Sequence, residues 1–221
     1  MVLDQPETLG DGDCEALRPG PWGQPVNTLT SFGYVGVGAW LAGRAGRPTS
    51  AEGRVATAYA ALTALTGAGS VAYHGPQFAG AQFLHDTPIL GVAGVGTAVP
   101  LWRALRGRTA VPGWSTGLGV AMAATSAVAG AAYLAGRTSS RTCRPTSWWQ
   151  FHGWWHLGTA ATIGMWGTAL WPSDGADGLA AEEGVPPVAD DDGSARDVDR
   201  RGAHLELVPD LVVGGSGAPA R

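Results

Sequence analysis

Charged side chains are missing from five long stretches of the chain, residues 19–43, 55–85, 87–102, 109–136 and 145–173. Each is close to the ~20 residues a helix needs to cross a bilayer, and the second also holds a loop. Within them the apolar positions run all round the helix rather than along one stripe, so the charge patterning of a soluble amphipathic helix is absent. The pattern predicts five transmembrane helices near residues 27–43, 54–74, 82–102, 113–135 and 149–171. Their many Gly and Ala residues would weaken a soluble helix but let membrane helices pack closely. An Ala-rich soluble bundle is the competing reading. The expected fold class is all-α, a polytopic membrane helix bundle.

Mean hydropathy is only +0.04, because polar termini offset the apolar middle. From Pro172 onward the chain holds eleven acidic residues against four arginines, in a background of Gly, Pro and Ala. That segment has too little apolar surface to offset the entropy of ordering it, so residues 172–221 are expected to form a disordered acidic tail. Leu205–Val213 is its one apolar run. Residues 1–26 are also acidic and lack the apolar core of a signal peptide, so the first helix of the 27–171 domain is expected to target the chain. The net charge of −4 offers no basic surface for nucleic acid.

All the basic side chains are arginines. Arg44, Arg47 and Arg54 flank the first loop and Arg103, Arg106 and Arg108 the third, whereas the second, around Gly75–Ala81, is uncharged. The positive-inside rule then puts the N-terminus outside and the C-terminus in the cytoplasm, although Arg137, Arg141 and Arg144 pull the other way. The absence of lysine and the wealth of Ala, Gly and Arg point to a GC-rich bacterial source, hence a bacterial plasma membrane.

Against this apolar background His74, Asp86, His152 and His156 stand out. A mid-membrane Asp is disfavoured by about 2.5 to 3.5 kcal/mol, so ionisable residues there usually face a polar interior and serve a function. The expected topology brings all four, with Ser70, to the outer ends of their helices. The four-residue spacings 70–74 and 152–156 each put two side chains on one helix face. A lone histidine at such a level is more often a packing residue, but three imidazoles and a carboxylate at one depth suit a catalytic zinc site. His85 lies about 100° round the helix from Asp86 and is read as an interfacial or supporting group. His204, in the tail, is read as a bystander.

Several short motifs then carry a resemblance. They are Asp13-Cys14-Glu15, Gln24-Pro25-Val26-Asn27-Thr28, Gly67-Ala68-Gly69-Ser70-Val71-Ala72-Tyr73-His74, Leu84-His85-Asp86-Thr87-Pro88 and His152-Gly153-Trp154-Trp155-His156. In this order they resemble the alkaline ceramidases, of the membrane hydrolase superfamily that includes the adiponectin and progestin receptors. The resemblance implies zinc held by His74, His152 and His156, with Ser70 and Asp86 acting on the water or the reacting carbonyl. It implies a lipid amide substrate taken from the bilayer, with membrane lipids around the protein. It also implies a disulfide between Cys14 and Cys143, the alternative being two free thiols.

Two departures stand out. The family has seven helices, and only 65 residues separate Asp86 from His152, room for one more helix, so this chain is a shortened member that lacks a pair. The family's calcium site would here draw on Asp11, Asp13, Glu15 and Asn27, but Gln24 replaces a glutamate, which weakens a hard-cation site. The expected function is zinc-dependent hydrolysis of a ceramide-like amide. A receptor or structural protein with a stabilising metal is the alternative, and the sequence leaves the oligomeric state open.

Overall fold

The structure, a computed structural model, describes residues 9–45 and 49–172. The expected disordered tail and its apolar run therefore lie outside the described residues. Five helices follow one another: α1 (Pro25–Ala45), α2 (Ala51–His74), α3 (Ala81–Leu105), α4 (Thr116–Ala135) and α5 (Phe151–Leu170). The described residues form no strand beyond an isolated bridge between Asp13 and Arg137. The ends differ by a few residues from the apolar stretches because hydrogen bonds, not hydropathy, set them. Ser50 caps α2 by accepting from the Gly53 N–H, which brings Glu52 and Arg54 into the helix. Ser115 caps α4 in the same way through the Leu118 N–H. At α1, Pro25 takes the first position, where its missing N–H costs nothing. The next two N–H groups, of Val26 and Asn27, each donate to the Glu15 carboxylate at 2.8 Å.

In space the helices run α3–α2–α1–α5–α4, with lesser contacts from α5 to α2 and α3. Consecutive helices usually pack together. Here α3 and α4 make no contact, and the arc stays open between them. Small residues set the close approaches. A Cβ on Gly69 would come within 2.0 Å of the Leu84 carbonyl oxygen, so α2 and α3 meet backbone to backbone. That carbonyl lies four residues before Pro88, which has no N–H to donate to it. Away from the site, Leu41, Tyr59, Ala60 and Val92 form the core, packed by Ile163 and Trp166.

Helices α2, α3 and α4 are long and apolar enough to cross a membrane. Leu90 and Leu134 expose 72% and 70% of their surface from α3 and α4, an arrangement costly in water and natural in lipid. Helices α1 and α5, at 21 and 20 residues, have comparable length but carry Asn27, Thr28, Thr30, Ser31, His152 and His156. Of these, Asn27, Thr28, Ser31, His152 and His156 are buried in the bundle.

At the end where α1 and α5 begin, the N-terminal segment crosses the bundle. Cys14 and Cys143 form a disulfide, and the Cys14 N–H donates to the Gly136 carbonyl. The Gln24 N–H donates to the His74 carbonyl. At the opposite end Arg103 is buried, pairs with Glu52 at 3.0 Å and donates to the Leu170 carbonyl at 2.8 Å.

Candidate metal centre

His74 closes α2, while His152 and His156 occupy successive turns at the start of α5. Their ring centroids lie 5.3 Å (His74 to His152), 5.0 Å (His74 to His156) and 4.7 Å (His152 to His156) apart, and all three are buried. One nitrogen from each lies within 4.8 Å of the others, so the group could hold a metal ion. Gly136 lets the loop after α4 approach closely, since a Cβ there would sit 2.5 Å from the His152 backbone nitrogen.

The surrounding oxygens decide which ring nitrogens are free. The Gln24 amide nitrogen donates to the carbonyls of Gly10 and Glu15, which turns Oε1 toward His74. That oxygen lies 2.6 Å from His74 Nδ1 and can only accept, so Nδ1 carries the proton. His156 Nδ1 faces Thr30 Oγ1 at 3.1 Å and Ser31 Oγ at 3.4 Å. Both hydroxyls give their hydrogens to carbonyls of α1, so Nδ1 donates here too. His74 Nε2 and His156 Nε2 are left as buried atoms with no protein partner. A lone pair on one nitrogen, with the other held by an oxygen, is the state in which histidine binds a metal. The residues present fit such an ion.

Asp13 is the third histidine's neighbour. Its Oδ1 lies 3.2 Å from His152 Nδ1, without the alignment of a full hydrogen bond, and 2.7 Å from Arg137. Its Oδ2 is 3.8 Å from His74 Nδ1. Burial pushes the Asp13 carboxyl up to about 6, with Arg137 opposing the shift. Burial raises Glu15 as well, against the two N–H groups it accepts from.

Ser70 reaches the cluster indirectly. Its Oγ is 2.8 Å from Ser31 Oγ, and because the Ser31 hydrogen goes to the Asn27 carbonyl, Ser70 is the donor. Asp86 is not brought to the histidines. Its side chain is 53% exposed and accepts from His85 Nδ1 at 2.7 Å. His85 is the one that faces inward, stacked on Tyr73 at 4.7 Å and 6.3 Å from His74. The helix is thus rotated so that the residue expected to point away lies against the site.

The four candidate calcium ligands are not gathered either. Glu15 serves the start of α1, Asp13 pairs with Arg137, and Asn27 lies beside Gln24. Asp11 joins no group of ligating side chains; among the described residues the three histidines are the only one. The Cys14–Cys143 bridge is present as expected. Sequence reasoning missed Gln24 and Thr30 as partners of the histidines, and gave Asp13 a different task. The place of Gln24 and Asp13 in the same short motifs was the available signal; Thr30 lies just beyond them.

A cavity of about 650 Å³, bounded by the non-touching α3 and α4 and by α5, lies beyond His156; the histidines themselves do not line it. Tyr34 and Trp155 line it, and their rings lie 6.0 and 5.3 Å from His156. Tyr34 is hydrogen-bonded to Thr159 at the same wall. Most of the lining is apolar, including Ile89, Val92 and Met122. A larger groove of about 810 Å³ between α4 and α5 likewise includes none of the site residues, and neither Tyr34 nor Trp155 lines it.

Fold and site together define an all-helical protein with three membrane-capable helices and a buried three-histidine group able to hold a metal ion. Comparison of the chain with protein families, with curated proteins and with solved structures finds no significant match.

Proposed function

We propose that this protein is an integral membrane, zinc-dependent hydrolase that cleaves the amide bond of a ceramide-like lipid. The observation that carries the reading is the pairing of the histidine group, two of its inner nitrogens unpartnered, with an apolar cavity at its side. Three neutral imidazoles without a thiolate suit zinc among the common metals. When bound, zinc would act as a Lewis acid and make water nucleophilic near neutral pH.

The chain's own residues supply the rest. Gln24, Thr30 and Ser31 hold the rings of His74 and His156 in the ligating tautomer. The cavity takes the acyl chain, directing the amide carbonyl to the histidine level. Ser70, now donating to Ser31, redirects its hydrogen to the carbonyl oxygen as negative charge develops there. Water adds to the carbonyl carbon, the C–N bond breaks, and the products are a fatty acid and an amine. We assign the proton taken from water and returned to the leaving nitrogen to Asp86 with His85, the pair that α3 carries beside His74. An outer location of this end of the bundle agrees with the disulfide, which belongs to an oxidising compartment.

The test is incubation of purified protein in detergent micelles with a panel of lipid amides. Fatty acid should be released with zinc present, abolished by a chelator and restored by added zinc. Should no amide, ester or ceramide yield fatty acid with zinc supplied, the hydrolase reading falls and the non-enzymatic one replaces it.

A further inference from the structure

His74 and His156 are hydrogen-bonded at Nδ1, and His152 has at Nδ1 an oxygen in ion-pair contact only, but the three sets of oxygens are not alike. His74 has the neutral amide of Gln24 and His156 the neutral hydroxyls of Thr30 and Ser31. His152 alone faces a carboxylate, that of Asp13 at 3.2 Å. We propose that Asp13, carried by the N-terminal segment and by no helix, is the positioning residue for His152 and sets how tightly the centre holds its metal. The proposal rests on the metal reading above and extends it to a residue the catalytic scheme does not use.

Three features place the carboxylate there. Asp13 is 5% exposed, and a carboxylate is costly to bury unless it is paired and hydrogen-bonded. Arg137 could meet that need at the surface, since its own side chain is 35% exposed, yet the pair is drawn in until Asp13 lies between Arg137 and two imidazoles. The local backbone enforces the position. Asp13 and Arg137 form an antiparallel bridge, the neighbouring Cys14 is joined to Cys143, and the Cys14 N–H is held by the Gly136 carbonyl. Gly136 in turn touches the His152 backbone closely enough to exclude a Cβ. Ligand and carboxylate are therefore fixed to the same short piece of chain.

A carboxylate on the outer nitrogen fixes ring and tautomer and makes the inner nitrogen a better donor; loss of such partners typically weakens metal binding 10- to 100-fold. Arg137 pairs with the carboxylate at 2.7 Å in this buried place.

Zinc affinity of the full-length protein, measured by competition with a chromophoric chelator, tests the assignment. It is paired with the visible spectrum of the cobalt-substituted protein. Asp13→Ala should bind zinc about 10- to 100-fold more weakly than the parent and shift the cobalt bands. Asp13→Asn keeps an acceptor oxygen and loses the charge, so it should fall between the two, several-fold weaker than the parent. If Asp13→Ala fails to fold, judged by disulfide formation and melting of the metal-free protein, Asp13→Asn decides alone. A purely structural Asp13 would lower the melting temperature and leave affinity and cobalt spectrum unmoved, and that result overturns the proposal. The metal reading is judged separately by the parent and His152→Ala. A parent that binds no zinc removes both ideas, whereas zinc lost in His152→Ala but retained at parental affinity in both Asp13 variants removes only this one.

Discussion

Arg103 at one end of the bundle and the three histidines at the other are both polar groups buried in an apolar helix array, and they are satisfied in opposite ways. Arg103 spends its guanidinium on Glu52 and on the Leu170 carbonyl, and Arg108 takes the other Glu52 oxygen at 3.0 Å. Among the described residues at that end, Trp171 Nε1 and Glu52 Oε1 are the buried side-chain atoms without a hydrogen-bond partner, and Oε1 is met by Arg108 as an ion pair. The histidine end is wired just as densely on its outer side, through Gln24, Thr30, Ser31 and Asp13. On the inner side the nitrogens of His74 and His156 have nothing. A buried polar atom left unpaired costs about 1–3 kcal/mol, so rings held firmly at one nitrogen and left empty at the other store a capacity to bind. The first cluster clasps three helices together. The second leaves two ring nitrogens without protein partners in a group that could hold a metal ion.

The sharpest test of that contrast is removal of a histidine. His152→Ala, and the triple alanine variant of His74, His152 and His156, should lose zinc and all turnover, read by metal analysis and fatty-acid release. Unchanged zinc content would erase the distinction between the two ends.

The next effect is smaller. Asp86→Asn should keep fold and zinc but lose about 10²- to 10⁴-fold in turnover, the usual contribution of a proton-handling group. Ser70→Ala should cost about 10- to 10³-fold, as for a lost oxyanion hydrogen bond. Equal rates in parent and Asp86→Asn would free this exposed carboxylate of any chemical role.

The smallest effect belongs to the clasp. Arg103→Met leaves the Leu170 carbonyl unpaired and should lower stability by about 1–3 kcal/mol in a melting experiment. Zinc affinity should stay at the parental value, and a drop would mean that the two ends are coupled.

Much of this was legible in the chain. Charge-free stretches gave five helices to within a few residues, since a bilayer tolerates few ionisable groups and their gaps mark the spans. His152 and His156 could be read together because a spacing of four admits one helical face. The lateral order of the helices could not be read, because hydropathy describes depth and carries no information about neighbours. Asp86 is turned differently from the expectation, since it meets His85 and His85 is the one beside His74. Adjacent residues on a helix point about 100° apart, and no pattern in an apolar helix says which of His85 and Asp86 turns inward. Asp13 was read as a calcium ligand because its type suits that task, and Gln24 as the neutral residue that weakens such a site; their partners are imidazoles fifty residues and more away, a pairing that only folding makes visible.

The open side of the arc bears on how the protein is made. Helices α1, α2 and α3 pack in chain order, so they can associate as they emerge. Helices α4 and α5 form a hairpin that skips its predecessor α3 and docks chiefly through α5 against α1, more than a hundred residues upstream. One ligand, His74, belongs to the part made early, and the other two arrive with the last hairpin. The three-histidine group can therefore come together only when that hairpin docks, and the Cys14–Cys143 bridge, which ties the N-terminal segment to the loop before α5, covalently holds the docked arrangement.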